Sequence, residues 1–226
     1  MTEDFSLQYA KKNKKRLISS IIDGKEKEEE KTAIFMAGSP GAGKTEAAHT
    51  LRVLNTNLCV IDADEFRVLF PGYVGNNSDK FQRGAALLVD AALDLVLKTG
   101  YSFILDGTFA TSTMKVTQNI ERVLKKNYNV LIYYVYQDPF IAWDFTKKRE
   151  VVEGRFVPKE RFINAFFQAR KNLIQVKEHF QEQVIINILV KDFQNTISDF
   201  LMDIDNVELT LPIKYTMQGL EEELHD

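Results

Sequence analysis

The sequence predicts an α/β fold: a parallel sheet of about five strands with helices on both faces. Three observations predict it. From Thr32 onward, short apolar runs rich in Ile, Val, Phe and Tyr alternate with helical stretches. The runs are apolar without a polar alternate residue, the pattern of strands covered on both faces. The first run leads straight into Gly38-Ser39-Pro40-Gly41-Ala42-Gly43-Lys44-Thr45, a full G-x-x-x-x-G-K-[ST] pattern, and a helical segment follows it.

Taken in order, Phe5 to Ile22 reads as a helix stopped by Asp23-Gly24, and the run from Lys25 to Lys31 is a solvated charged connector. Strands are expected at Ala33–Ala37, Leu58–Ile61, Ser102–Leu105, Val130–Tyr136 and Val184–Leu189. Helices are expected at Thr45–Leu54, Asp79–Lys98, Thr113–Lys126, Pro139–Val152 and Lys159–Gln181. In the second of these, Asp90, Asp94 and Lys98 make a narrow polar stripe on an otherwise apolar cylinder. In the last, Phe162, Phe166, Ala169, Leu173, Val176 and Phe180 step by four and three, one continuous seam for the core. Asp138-Pro139 reads as an N-cap followed by Pro at the first helical position, and Gly154 as the end of that helix. The chain then divides into an N-terminal helix and connector (1–31), a P-loop kinase domain (32–204) and a C-terminal tail (205–226).

Composition excludes several classes. The 226 residues carry a net charge of only -3, so no general basic field marks a nucleic-acid coat. One cysteine, Cys59, builds neither a disulfide framework nor a cysteine metal site, and His49, His179 and His225 lack ligand spacing. Cys59 and Trp143 read as core. The N-terminus has no apolar stretch of signal-peptide length, and no run approaches the roughly 20 apolar residues of a membrane span. A cytoplasmic protein with no membrane partner is the expectation.

The glycines of the motif let backbone N–H groups wrap phosphates while the next helix directs its N-terminus at them. Lys44 then reaches the β- and γ-phosphates, and Thr45 offers a hydroxyl to Mg²⁺. ATP and Mg²⁺ are the expected cofactors. No NKxD element marks a GTPase, which favours a small-molecule kinase. Such an enzyme needs a base for the acceptor hydroxyl, a carboxylate near the metal and cations over the transferring phosphoryl. The second strand ends in Ile61-Asp62-Ala63-Asp64, and Asp64 is the candidate general base, with Asp62 as a cap, an orienting group or a helper of the metal. The third ends in Leu105-Asp106-Gly107-Thr108, placing Asp106 at the metal or the acceptor and Thr108 at the acceptor. Arg149 and Arg155 flank the loop beyond the fourth of those helices, where guanidinium forks suit phosphoryl oxygens. Lys147, Lys148 and Arg161 are expected on the surface.

With these residues assembled, the sequence resembles the zeta toxin family of P-loop kinases from about Ala33 to Gln181. The likeness runs through IFMAGSPGAGKTE, VIDADEFRVLFPGY, ILDGT and TKKRE…GRFVPKERF. It implies phosphorylation of UDP-N-acetylglucosamine, Lys44 and Thr45 serving ATP and Mg²⁺, Asp64 as base, Asp106 and Thr108 touching the amino sugar, and Arg149 and Arg155 gripping phosphates. It also implies a separate helical antitoxin as partner. Asp106 stands where the family commonly has Glu, and Phe70-Pro71 where it commonly has His-Pro. The alternatives are a kinase of another small molecule or of nucleic-acid ends, and a nucleotide-dependent partner-binding module with little chemistry.

Overall fold

The computed structural model describes residues 4–194 and 196–225. Helix α1 (Phe5–Ser19) is capped by Asp4, whose carboxylate accepts from the N–H groups of Ser6 and Leu7 at 2.9 and 3.2 Å. It is followed by β1 (Thr32–Ala37), α2 (Lys44–Leu54), β2 (Cys59–Asp62), a short α3 (Ala63–Arg67) and α4 (Gln82–Thr99). Then come β3 (Phe103–Asp106), α5 (Thr113–Leu124), β4 (Asn129–Tyr136), α6 (Pro139–Glu153) and α7 (Lys159–Phe180). The chain closes with β5 (Val184–Lys191), β6 (Ile197–Leu201), α8 (Val207–Thr210) and α9 (Met217–Glu223).

The strands form one sheet in the order β2-β3-β1-β4-β5-β6. Pairing is parallel from β2 through β5, as the unbroken apolar runs predict. β1 is central, its residues Ala33 to Ala37 all buried, so the loop after it opens at the carboxyl end of the sheet between neighbours β3 and β4. A sixth strand, β6, pairs antiparallel to β5 at the edge. Its five residues are exposed or half-buried, and with no buried face it shows neither an apolar run nor an alternation, which is why the expected strands stop at β5.

The helices cover the sheet where their seams predict. Phe162, Phe166, Ala169, Leu173, Val176 and Phe180 of α7 are all buried. The polar stripe of α4 faces α5, with Asp90 paired to Lys115 at 2.9 Å and Asp94 to Arg122. These exposed pairs contribute little stability and fix orientation. α1 lies on α4, close enough at Gly84 that a Cβ there would stand 2.6 Å from the Ser6 carbonyl oxygen. Cys59 and Trp143 are buried, and burial pushes the Cys59 thiol up to about 11. Phe70 packs in the core between Tyr9 and Phe81. Among the described residues, no helix is long and apolar enough to cross a membrane.

Candidate active site

The phosphate loop is held from both sides by backbone. Gly38 takes φ +138° and Gly41 +74°, which L side chains rarely adopt. A Cβ on Gly38 would sit 2.4 Å from the Val135 carbonyl oxygen, and one on Gly41 2.0 Å from that of Ala142 in α6. The Gly38 N–H donates to the Thr108 carbonyl at 3.2 Å, tying the loop to the segment after β3. Gly43 is left-handed at the start of α2. Ser39 and Ala42 are buried, while Pro40, Gly41, Gly43, Lys44 and Thr45 line a cavity of about 330 Å³.

Lys44 extends over the loop and donates to the Ser39 carbonyl at 2.7 Å. Burial, with Arg155 and Arg149 nearby and only partly offset by Asp106 and Asp64, pushes its ammonium down to about 8. A phosphate arriving there would favour the charged form further. Thr45 and Asp106 line the same cavity, and burial raises the Asp106 carboxyl against the pull of Lys44 and of the nearby Thr45 hydroxyl. A hydroxyl and a carboxylate side by side beside a phosphate cradle suit Mg²⁺, which keeps several waters and takes few protein ligands. No group of three or more His, Cys, Asp or Glu side chains is arranged for a metal among the described residues.

β2 and β3 end in register, Asp62 beside Asp106. Asp62 caps α3, accepting from the Asp64 N–H at 2.8 Å, and burial with Asp64 and Asp106 close by pushes its carboxyl up to about 7. Asp64, one residue into α3, is gripped by two arginines: one carboxylate oxygen takes Arg67, and the other takes Arg155 from the loop between α6 and α7. Arg67 is buried and donates its second amino group to Gln82 at 2.5 Å.

A second, larger groove of about 1260 Å³ runs from this point between α7 and the segment after β3. The two spaces share Pro40, Arg67, Gln82, Thr108, Arg155, Val157 and Arg161. Thr108 is set there by its neighbour Phe109, which holds a left-handed φ of +59°. Buried Asn172 fastens that turn by donating to the Phe109 and Thr111 carbonyls at 2.7 and 2.8 Å. Asp64, Asp106 and Arg149 line the smaller cavity, so every residue picked from the sequence except buried Ser39 and Ala42 and the backbone-anchored Gly38 lines one of the two spaces.

The profile of zeta toxins matches residues 18–204. The chain belongs to the zeta toxin family. Among solved structures, the PezAT toxin–antitoxin system of Streptococcus pneumoniae is similar at TM-score 0.67 and 18% identity, covering 97% of this zeta toxin family chain and 88% of that one. The native AvrRxo1-ORF1:-ORF2 complex is similar at 0.65 and 15%, covering 89% and 70%, and its form with ATP at 0.61 and 14%, covering 90% and 68%. At such identities the likeness establishes the fold. Comparison with curated proteins gives no significant sequence match. Family and fold together support a P-loop phosphotransferase.

Sequence reasoning missed Arg67, Gln82 and Met217, and it placed Arg161 on the surface. Arg161 is exposed, yet it stands on the edge of both spaces. Arg67 follows Asp64 by three residues on a helix, a spacing that puts the two side chains on one face and is readable once the helix is known. Gln82 and Met217 arrive through tertiary packing and leave no local signal. Phe70, at the position where a His is usual, lines neither space.

Proposed function

We propose that this zeta toxin family protein transfers the γ-phosphoryl group of ATP to a hydroxyl of a sugar nucleotide, with UDP-N-acetylglucosamine as the acceptor. One observation carries the reading. Asp64, the candidate base, lies between two arginines that each line both the phosphate-loop cavity and the larger groove. A hydroxyl presented from the groove would meet Asp64 where the nucleotide's outermost phosphate ends.

In this reading Lys44 leaves the Ser39 carbonyl for the phosphates, and Arg149 and Arg155 neutralise the phosphoryl oxygens as charge spreads over them. Thr45 and Asp106 would hold Mg²⁺, whose charge supplies further stabilisation of the phosphates when it is bound. Asp64 accepts the acceptor's proton while Arg67 keeps its carboxylate oriented. Thr108 positions the acceptor at the seam. Arg161 and Lys171 along the groove supply cations suited to the diphosphate of a sugar nucleotide. A separate antitoxin as partner, a cytoplasmic setting, and the division into 1–31, 32–204 and 205–226 belong to the same proposal.

The test is incubation with Mg-ATP and UDP-N-acetylglucosamine beside Lys44→Ala, following the sugar nucleotide by mass spectrometry. Gain of one phosphate with the wild type alone supports the proposal. An unmodified sugar nucleotide in the presence of bound ATP removes this acceptor and leaves the phosphate loop standing.

A further inference from the structure

The C-terminal segment lies outside the stretch matched by the family profile, which ends at residue 204, yet it is fastened to both arms of the arginine-bearing loop. Leu220 and Leu224 are buried in a cluster with Trp143 of α6 and Phe162 and Phe166 of α7. Val157, from the loop between those helices and on the wall of both spaces, packs against the same cluster. Four polar links reinforce this packing. The Trp143 indole N–H donates to the His225 carbonyl at 2.6 Å. Lys159, the first residue of α7, donates to the carbonyls of Glu221 and Leu224 at 3.2 and 3.1 Å, satisfying acceptors at the end of α9. The Tyr215 hydroxyl donates to Asp138, the residue that caps α6. One short segment therefore holds the start of α6, its first turns, the loop and the start of α7.

We propose that residues 213–225 form a clasp that positions Arg149 and Arg155 over the phosphate loop, with Leu220, Tyr215 and Lys159 as its positioning residues. α6 carries the effect inward, since its Ala142 carbonyl lies against Gly41. The loop from Gly154 to Pro158 has no regular structure of its own, so the placement of Arg155 depends on what fixes its two ends. Without the clasp, α6 and α7 lose the contacts that close the cluster on its outer side. This inference rests on the reading that the two arginines hold ATP.

The experiment is a double-mutant cycle on ATP affinity in the full-length protein, read by calorimetric titration with Mg-ATP. The clasp variant is Leu220→Ala. The combination Lys159→Met with Tyr215→Phe, which keeps the buried packing, carries the same test should Leu220→Ala fail to fold. The lid variant is Arg149→Ala with Arg155→Ala. Loosening the clasp is expected to weaken ATP binding by about fivefold, within the range of coupling between contacting groups, and to have no further effect once the arginines are absent. Backbone amides of residues 154–157 should exchange faster in the clasp variant while those of β1 and β4 do not. A purely structural segment would weaken binding by the same factor in both backgrounds, and that result overturns the clasp. Undiminished affinity in the clasp variant overturns it equally. If the arginine variant alone binds ATP as tightly as the wild type, the role of the arginines falls, and the clasp's function with it.

Discussion

Replacing Asp62 by Asn tests whether the carboxylates at the ends of β2 and β3 are crowded at the expense of stability. In the wild type, burial and the neighbouring Asp64 and Asp106 push the Asp62 carboxyl up to about 7, from 3.8 in an unfolded chain. A folded-state value above the unfolded one means the native protein binds more protons between those limits. Stability therefore falls as pH rises from about 4 to about 7. The difference of about 3 units, at 1.36 kcal/mol each, sets an upper figure of about 4 kcal/mol. Relaxation and water at the cavity wall reduce this, and we expect about 2 kcal/mol. Asparagine retains an oxygen for the Asp64 N–H, so the cap of α3 survives while the charge is removed. In the nucleotide-free protein, Asp62→Asn should raise Tm at pH 8 by roughly 4–8 °C for a chain of this size. The gain should be largely lost at about pH 3, below both values, where the carboxyl is protonated in both states of the wild type. Calorimetry at the two pH values decides it. A variant less stable than the wild type at pH 8, or equally displaced at both, refutes the crowding argument.

Two other substitutions address the phosphate loop directly. Gly41→Ala places a methyl group 2.0 Å from the Ala142 carbonyl at a positive φ. It should weaken binding of a fluorescent ATP analogue more than tenfold and lower Tm by several degrees. Thr45→Ala removes the hydroxyl that lines the phosphate-loop cavity with Asp106. It should raise the Mg²⁺ concentration that half-saturates the stimulation of ATP binding by about tenfold, while binding in the presence of a chelator stays unchanged.

What the sequence made legible is what local chemistry decides. The phosphate loop is contiguous, and its glycine, lysine and threonine each have one structural reason to be there. The seam of α7 and the Asp138-Pro139 start of α6 follow from helical period and capping, and the structure has both. Asp64, Asp106 and Thr108 stand out as candidates because strand ends in a parallel sheet open on one side, a rule that needs only the strand positions, and all three line the cavity there. The unread part is tertiary. Arg67 lies beyond a strand end in a helix of five residues, too short to show a period, so its burial against Asp64 and Gln82 was invisible. Met217 reaches the groove from a segment whose sequence gives only a short amphipathic helix. Arg161 reads as a charge on a helix surface, and it becomes a site residue only because α7 runs along the groove.

Two candidate catalytic side chains already have partners: Lys44 on a carbonyl, and Asp64 between two arginines. ATP must exchange these partners rather than enter an empty frame. For Asp64 the exchange has a direction. Arg67 is buried and fixed on its own helix, whereas Arg155 sits on a loop and is the arginine that phosphates can draw away. Under the proposed mechanism the second carboxylate oxygen becomes free to accept a proton only as Arg155 moves to the nucleotide, so the base is released by the phosphoryl donor it serves. Asp64 therefore competes with ATP for Arg155. Asp64→Asn, which weakens that competition, should bind Mg-ATP at least as tightly as the wild type, with a gain of up to about fivefold. Its turnover with an acceptor should fall by about 10² to 10⁴, the range for loss of a general base. Equilibrium titration and single-turnover kinetics separate the two effects. A variant that loses ATP affinity together with turnover would mean that Asp64 organises the nucleotide site itself, and the exchange of Arg155 between base and phosphate would have to be abandoned.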